Sequence, residues 1–276
     1  MKIYNKILRS CIKRKYEILS LFNNDIKTIN PYAFIRVYNE IETIEATLKT
    51  IVGGGITRGV LGYHLDEFGK DDGTSEVIKQ FCKNNPNFIA FEYPYKVIPP
   101  SKTMYLNDIK EEYRLDTYYN FVLDKIPLNN WLIKIDCDHI YNEIALKKVL
   151  MQPKSIIDSI YLPALNMHYS DGKLYFLKNF YKIGDDHWLL LRNKDTNFCI
   201  DKDMGCEFLN YNFFNFIKAE NIISLHFPLM KKSRIHLATK DNLIPYDEFD
   251  FSQLKMTEID KEFILNKEKI LSYFNS

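Results

Sequence analysis

The chain has 276 residues, 46% of them hydrophobic, enough to bury a full core as one large domain or as one domain with appendages. Its 37 basic and 36 acidic residues leave a net charge of +1, which excludes the strong general attraction for nucleic acid of a basic protein. No window reaches the roughly 18 uninterrupted apolar residues of a transmembrane helix, and no signal-peptide apolar run follows the basic N-terminus.

That N-terminus, "MKIYNKILRSCIKRK", holds Lys2, Lys6, Arg9, Lys13, Arg14 and Lys15 and no acid. Ile3, Ile7, Leu8, Cys11 and Ile12 recur at helical spacing, so residues 1–28 read as a basic amphipathic arm. Such an arm docks on an anionic membrane surface or on a partner; a helix packed on its own domain is the alternative. The five cysteines (Cys11, Cys82, Cys137, Cys199 and Cys206) are odd in number and form no CxxC pair, which fits a reduced, cytoplasmic chain.

"NPYAFIRVY" (residues 30–38) predicts a strand, and "NEIETIEATLKTIV" (39–52) a helix stopped by Gly53, Gly54 and Gly55. "GVLGYH" (59–64) predicts a second strand, followed by a polar loop over residues 65–76 and a helix over 75–82. "FIAFEYPY" (88–95) predicts a third strand, residues 115–123 a helix, and "WLIKIDCDH" (131–139) a fourth strand. Strands alternating with helices argue for an α/β fold with a mainly parallel, Rossmann-like sheet over residues 29–150. The pieces "SIYLPALNMHY", "KLYFL" and "HWLLLRN" lack clear helices between them, so residues 151–232 read as a mixed or antiparallel half, and 233–276 as a C-terminal tail.

In open α/β sheets ligands bind beyond the carboxyl ends of the strands, where Asp136, Asp138 and the loop from Asp66 to Asp72 are expected. In extended chain Asp136 and Asp138 share a face, with Cys137 and His139 on the other. Two neighbouring carboxylates repel unless a cation neutralises them, and oxygen ligands suit Mg²⁺ or Mn²⁺. An ion held by few carboxylates completes its shell with phosphate oxygens, which points to a nucleotide-diphosphate ligand. A solvated polar strand end is the alternative. Neither a P-loop nor a G-x-G-x-x-G turn is present.

The blocks "PYAFIRVYNEIETIEATL", "RGVLGY", "DGTSEVIKQFCKNNPNFI", "YPY", "YYNFVLDKIPLNNWLIKIDCDHIY" and "HFPLMKKSR" resemble the bacterial β-1,4-N-acetylgalactosaminyltransferases of lipo-oligosaccharide biosynthesis. More widely, "VYNE", "DGTS" and the Asp-x-Asp tripeptide resemble GT-A glycosyltransferases. The resemblance covers about residues 29–150 and 223–234. It implies a GT-A fold, a UDP-sugar donor, Mn²⁺ or Mg²⁺, and inverting transfer to an oligosaccharide or glycolipid.

On this sequence it implies that Asp138 binds the metal, that Asp136 sits over the ribose or reaches the metal through water, and that His226 is a third ligand. Arg36, Tyr38, Asn39 and Glu40, at the end of the first strand, are donor-side candidates, Tyr38 as a flat face for uracil. Asp66 or Asp72 is placed to accept from the uracil N–H, though Asp72-Gly73 is also ordinary turn chemistry. Arg114 is a candidate partner of the diphosphate. For the general base, "KIGDDHWLLL" offers Asp186, with Asp185 and Glu207 as alternatives. A second basic cluster, Lys231, Lys232 and Arg234, would add to the arm's pull towards the inner face of the cytoplasmic membrane. The competing functions are a sugar-phosphate nucleotidyltransferase, which releases pyrophosphate, and a non-catalytic carbohydrate-binding subunit.

Overall fold

The computed structural model describes residue 14 and residues 28–100, 109–182, 187–201, 205–210, 215–231 and 234–274. The arm, apart from residues 14 and 28, therefore lies outside the described residues, as do Asp185, Asp186 and Lys232.

The first half winds as expected: β1 (Tyr32–Val37), α1 (Ile44–Gly53), β2 (Gly59–His64), α2 (Thr74–Asn84), β3 (Phe88–Tyr93), α3 (Leu115–Leu123) and β4 (Trp131–Ile135). The apolar run of β4 stops at Ile135, and the short β5 (His139–Tyr141) and α4 (Glu143–Val149) follow. The second half supplies β6 (Asp158–Tyr161), β7 (Ala164–Ser170), β8 (Lys173–Lys182), β9 (Trp188–Leu191), β10 (Asn197–Asp201), β11 (Cys206–Asn210), β12 (Asn215–Lys218) and β13 (Ser224–His226). Beyond it lie β14 (Leu243–Pro245), α5 (Glu258–Ile264) and α6 (Lys267–Leu271).

A seven-stranded sheet runs in the order β3-β2-β1-β4-β9-β6-β12. Its β3-β2-β1-β4 portion is parallel, β9 is antiparallel to both β4 and β6, and β12 is parallel to β6. Such a sheet must be covered on both faces. Ile44, Leu48 and Ile51 of α1, with Leu146 and Val149 of α4, bury one face; Tyr118, Val122 and Leu123 of α3, with Trp188 and Phe198, bury the other. Gly62 lets α3 approach, because a Cβ there would lie 2.0 Å from a methyl of Val122.

A second sheet, β14-β8-β7-β13-β5, mixes both directions: β13 is parallel to β7 and antiparallel to β5. The fold is thus α/β with a mainly parallel sheet and a mixed second half, the GT-A class of arrangement. The halves do not divide at residue 150, since β6, β9 and β12 complete the first sheet while β5 belongs to the second. Residues 233–276 are no appended tail either. Strand β14 edges the second sheet, and Tyr246, Phe249, Phe263, Ile264 and Ile270 are buried against Met167, Phe176 and Leu225.

Candidate active site

The site forms where β4 breaks off. Residues 137–138 turn instead of extending, so strand alternation does not apply between 136 and 139. The Thr47 hydroxyl of α1 lies 2.8 Å from the carbonyl oxygen of Cys137 and 2.6 Å from that of His139. The carbonyl of Asp138 accepts from Phe227 N–H at 2.7 Å, just past β13. Helix and second sheet thus pin one turn. The expected shared face of Asp136 and Asp138, with His139 pointing away, is corrected accordingly: the imidazole of His139 turns towards both acids.

The two acids sit in different surroundings. Asp136 is paired with Arg36, with Lys134 Nζ at 3.3 Å and with His187 Nε2 at 3.0 Å. Burial alone would raise its pKa, but Lys134, Arg36 and His187 together hold it well below the usual carboxylate range. The Arg36 guanidinium lies 4.2 Å from the Tyr119 ring centroid and 4.7 Å from that of Phe34, so it is fixed by aromatic faces as well.

Asp138, only 3% exposed, has His226 Nε2 at 3.4 Å, Lys231 Nζ at 3.7 Å and His139 Nε2 at 3.8 Å. Burial opposes its charge, yet Lys231, His226 and His139 hold its pKa well below the normal range. Glu40, the second acid on the Lys231 ammonium, is 2.5 Å from Nζ. Burial, with Asp138 adding to it and Lys231 opposing, pushes Glu40 up to about 8.

His139 lies between His187 and His226, ring centroids 4.5 and 4.4 Å away. Burial, then the neighbouring histidines, drive its pKa well down, so the ring is neutral. Its Nδ1 meets Ser224 Oγ at 2.8 Å, and its buried Nε2 has no hydrogen-bond partner. Asn166 Nδ2 donates to the carbonyl of Asn179 at 2.7 Å, so Oδ1 is left to accept from His226 Nδ1 at 2.7 Å. The other ring nitrogen of His226, Nε2, is the one that faces Asp138.

A carboxylate with two imidazole nitrogens converging on it, one of them without a hydrogen-bond partner, is the donor set of a cation site. The ligand atoms of Asp138, His139 and His226 lie within 4.8 Å of one another, as do those of Asp136, His139 and His187. The first set fits a divalent first-row ion; one carboxylate and two imidazoles suit Mn²⁺ better than Mg²⁺. Asp136 belongs to the other set, where Arg36 and Lys134 already neutralise it.

Among the other candidates, Tyr38 is 36% exposed and stacks on His64 with centroids 4.1 Å apart. Asn39 takes a positive φ of 55° and accepts from Asp72 N–H at 3.1 Å. Asp72 accepts from the backbone N–H of Ile41 and of Thr74, which is the turn chemistry weighed from the sequence. Asp66 organises its own loop by accepting from Phe68 and Lys70 N–H at 2.8 and 2.9 Å. Arg114 stands at the N-cap position of α3, where its side chain pairs with Asp116 at 2.5 Å. Glu207 on β11 is 3.5 Å from the hydroxyl of Tyr119, the ring beneath Arg36.

Lys231 turns into the site with 27% of its side chain exposed, which removes it from the basic cluster expected at the surface. The groups that sequence reading left out are His139, His187, Lys231 as a site residue, and Asn166. The adjacency of His187 to the Asp185-Asp186 pair was the one legible signal for it.

Burial lowers the pKa of His64 to about 4, below its usual 6.5. Between those values the unfolded chain binds the proton and the folded chain does not, so this contribution is present above pH 6.5 and is lost as pH falls towards 4. His64→Phe, which keeps the stack, is expected to lose about 2 kcal/mol less stability than the parent between pH 7 and 5, read from denaturation midpoints.

The family description "Beta-1,4-N-acetylgalactosaminyltransferase (CgtA)" matches residues 4–274. The chain belongs to this family. The match takes in residues 151–222, where the sequence blocks matched poorly, and places the chain in a glycosyltransferase family. Among solved structures, that of S. aureus TarS 1–349 is similar at 12% identity and a TM-score of 0.40, covering 90% of this chain and 71% of that one. TarS 1–349 in complex with UDP is similar at 13% identity and a TM-score of 0.31, covering 52% of this chain. The latter match spans only 37% of the UDP-bound chain. No curated protein matches.

Proposed function

We propose that the chain is an inverting transferase that moves N-acetylgalactosamine, or another N-acetylhexosamine, from UDP to a hydroxyl of a lipo-oligosaccharide or other surface glycan. The observation that carries this reading is the donor set of Asp138, His139 and His226 at the carboxyl end of β4, beside the Arg36–Asp136 pair at the end of β1. Asp138, His139 and His226 would hold Mn²⁺. When bound, such an ion supplies Lewis-acid stabilisation of the charge on a departing diphosphate.

The protein's own groups do the rest. Asp136, kept ionised and fixed by Arg36, Lys134 and His187, accepts from the ribose hydroxyls. The face of Tyr38 not stacked on His64 receives the uracil. Asp186 takes the proton of the acceptor hydroxyl, with Asp185 and Glu207 the alternatives.

The test is a panel of UDP-sugars with Mn²⁺, read as UDP release and as the mass shift of a galactose-terminated acceptor. UDP in Mn²⁺ is also expected to raise the melting temperature, by about 2.7 kcal/mol of stability at a hundredfold excess over Kd, where GDP does not. Pyrophosphate as product would replace the reading with nucleotidyl transfer, and equal shifts with both nucleotides would remove uracil recognition.

The basic, acid-free run over the first fifteen residues supports a peripheral place at the inner face of the cytoplasmic membrane. None of the helices among the described residues is long and apolar enough to cross a membrane. Sedimentation with anionic vesicles should weaken as salt rises and fall when residues 1–20 are removed. Binding unchanged by that truncation would count against the arm.

A further inference from the structure

The geometry points to Lys231 as a competitor of the divalent cation for the Asp138 carboxylate, so that this lysine sets the affinity of the Asp138, His139 and His226 group for its ion. The inference rests on the metal reading above and adds what controls it.

Lys231 Nζ and His226 Nε2 address the same oxygen, Oδ2 of Asp138, at 3.7 and 3.4 Å. An ion bonded to that oxygen and that nitrogen shares one carboxylate with an ammonium, and like charges around one ligand repel. Yet the ammonium is not committed to Asp138. Its shorter contact is with Glu40 Oε1, at 2.5 Å, so it bridges two acids.

The backbone around Lys231 is held. Phe227 N–H donates to Asp138, Met230 N–H donates to Phe227 at 3.2 Å, and the carbonyl of Lys231 accepts from Arg234 and Ile235 N–H at 2.8 and 3.0 Å. Release must therefore come from the side chain, a flexible four-carbon stem that is 27% exposed. A small cleft lined by Asn39, Glu40, Asp72, Met230 and Lys231 opens beside it. Glu40 on that cleft can keep the ammonium after Asp138 has taken the ion. The sequence offers the same logic: Lys231 follows His226 by five positions, so ligand and competitor ride on one anchored segment.

The experiment measures Mn²⁺ affinity of the full chain by electron paramagnetic resonance of the free ion, without donor or acceptor. Lys231→Met is expected to bind Mn²⁺ about tenfold more tightly, whereas Lys231→Arg, which keeps the charge, stays within about threefold of the parent. A folded Lys231→Met chain with unchanged or weaker affinity overturns the inference, as does equal tightening in both variants. Should Lys231→Met not fold, the parent chain decides by acylation footprinting. Mn²⁺ should raise the labelling of Lys231 relative to other lysines, and unchanged labelling overturns the competition. Absence of Mn²⁺ binding in the parent and in both variants would overturn the metal reading itself, and this inference with it. Equal affinities leave that reading standing.

Discussion

Asp138→Asn is expected to reduce sugar transfer by about a thousandfold or more, with a melting temperature within a few degrees of the parent. The amide keeps the shape of the buried side chain and removes the charge towards which His226, His139 and Lys231 converge. Ordinarily the loss of one partner in a buried ion pair is severe, because the other charge is left uncompensated. Here Lys231 retains Glu40 at 2.5 Å, and the neutral imidazole of His139 needs no counter-charge. The loss therefore falls on chemistry. UDP release in a coupled assay and a circular-dichroism melt check the two halves, and near-parent turnover in the presence of chelator would sink the assignment.

Asp136→Asn, two residues earlier, should behave in the opposite way, costing about 3 kcal/mol of stability or more. Arg36 and Lys134 both face this one carboxylate, and each of their side chains is only 2% exposed. His187 approaches it as well. Removing the charge takes one counter-charge from two buried cations at once. Chemical denaturation at constant m-value measures the loss. A midpoint unchanged from the parent would show that other groups balance Arg36 and Lys134. Between them, the two variants separate acids that sequence spacing makes look equivalent.

That equivalence marks the limit of the sequence. Hydrophobic runs and glycine punctuation made β1 to β4 and the helices α1 to α3 legible, since buried parallel strands and crossover helices leave strong local signals. The alternation rule failed at the tripeptide because it holds only in extended chain, and β4 ends one residue before Asp136. His139 was misplaced for that reason alone. Residues 151–232 were hard to read because β9 and β12 pair with strands of the first sheet far away in sequence. Residues 233–276 read as a tail because short 3-10 turns and aromatic residues carry no helical or strand period, although Tyr246 and Phe249 fill a core. His226 was found through its matching block, whereas Asn166, which sets its tautomer, sits in a strand with no motif.

The pairing of β5 with β13 also bears on synthesis. A nascent chain carries Asp138 out of the ribosome long before His226, which follows 88 positions later, and β5 has no edge to pair with until β13 is made. The parallel sheet can begin to fold on the earlier segment, but the turn at 136–138 waits for its partner strand, because non-local contacts form late. In a series of stalled chains of increasing length, protection of that turn should therefore appear only after the segment from Ser224 to Lys231 has cleared the exit tunnel, and be complete only when the residues of 243–270 that fill the second sheet's core follow.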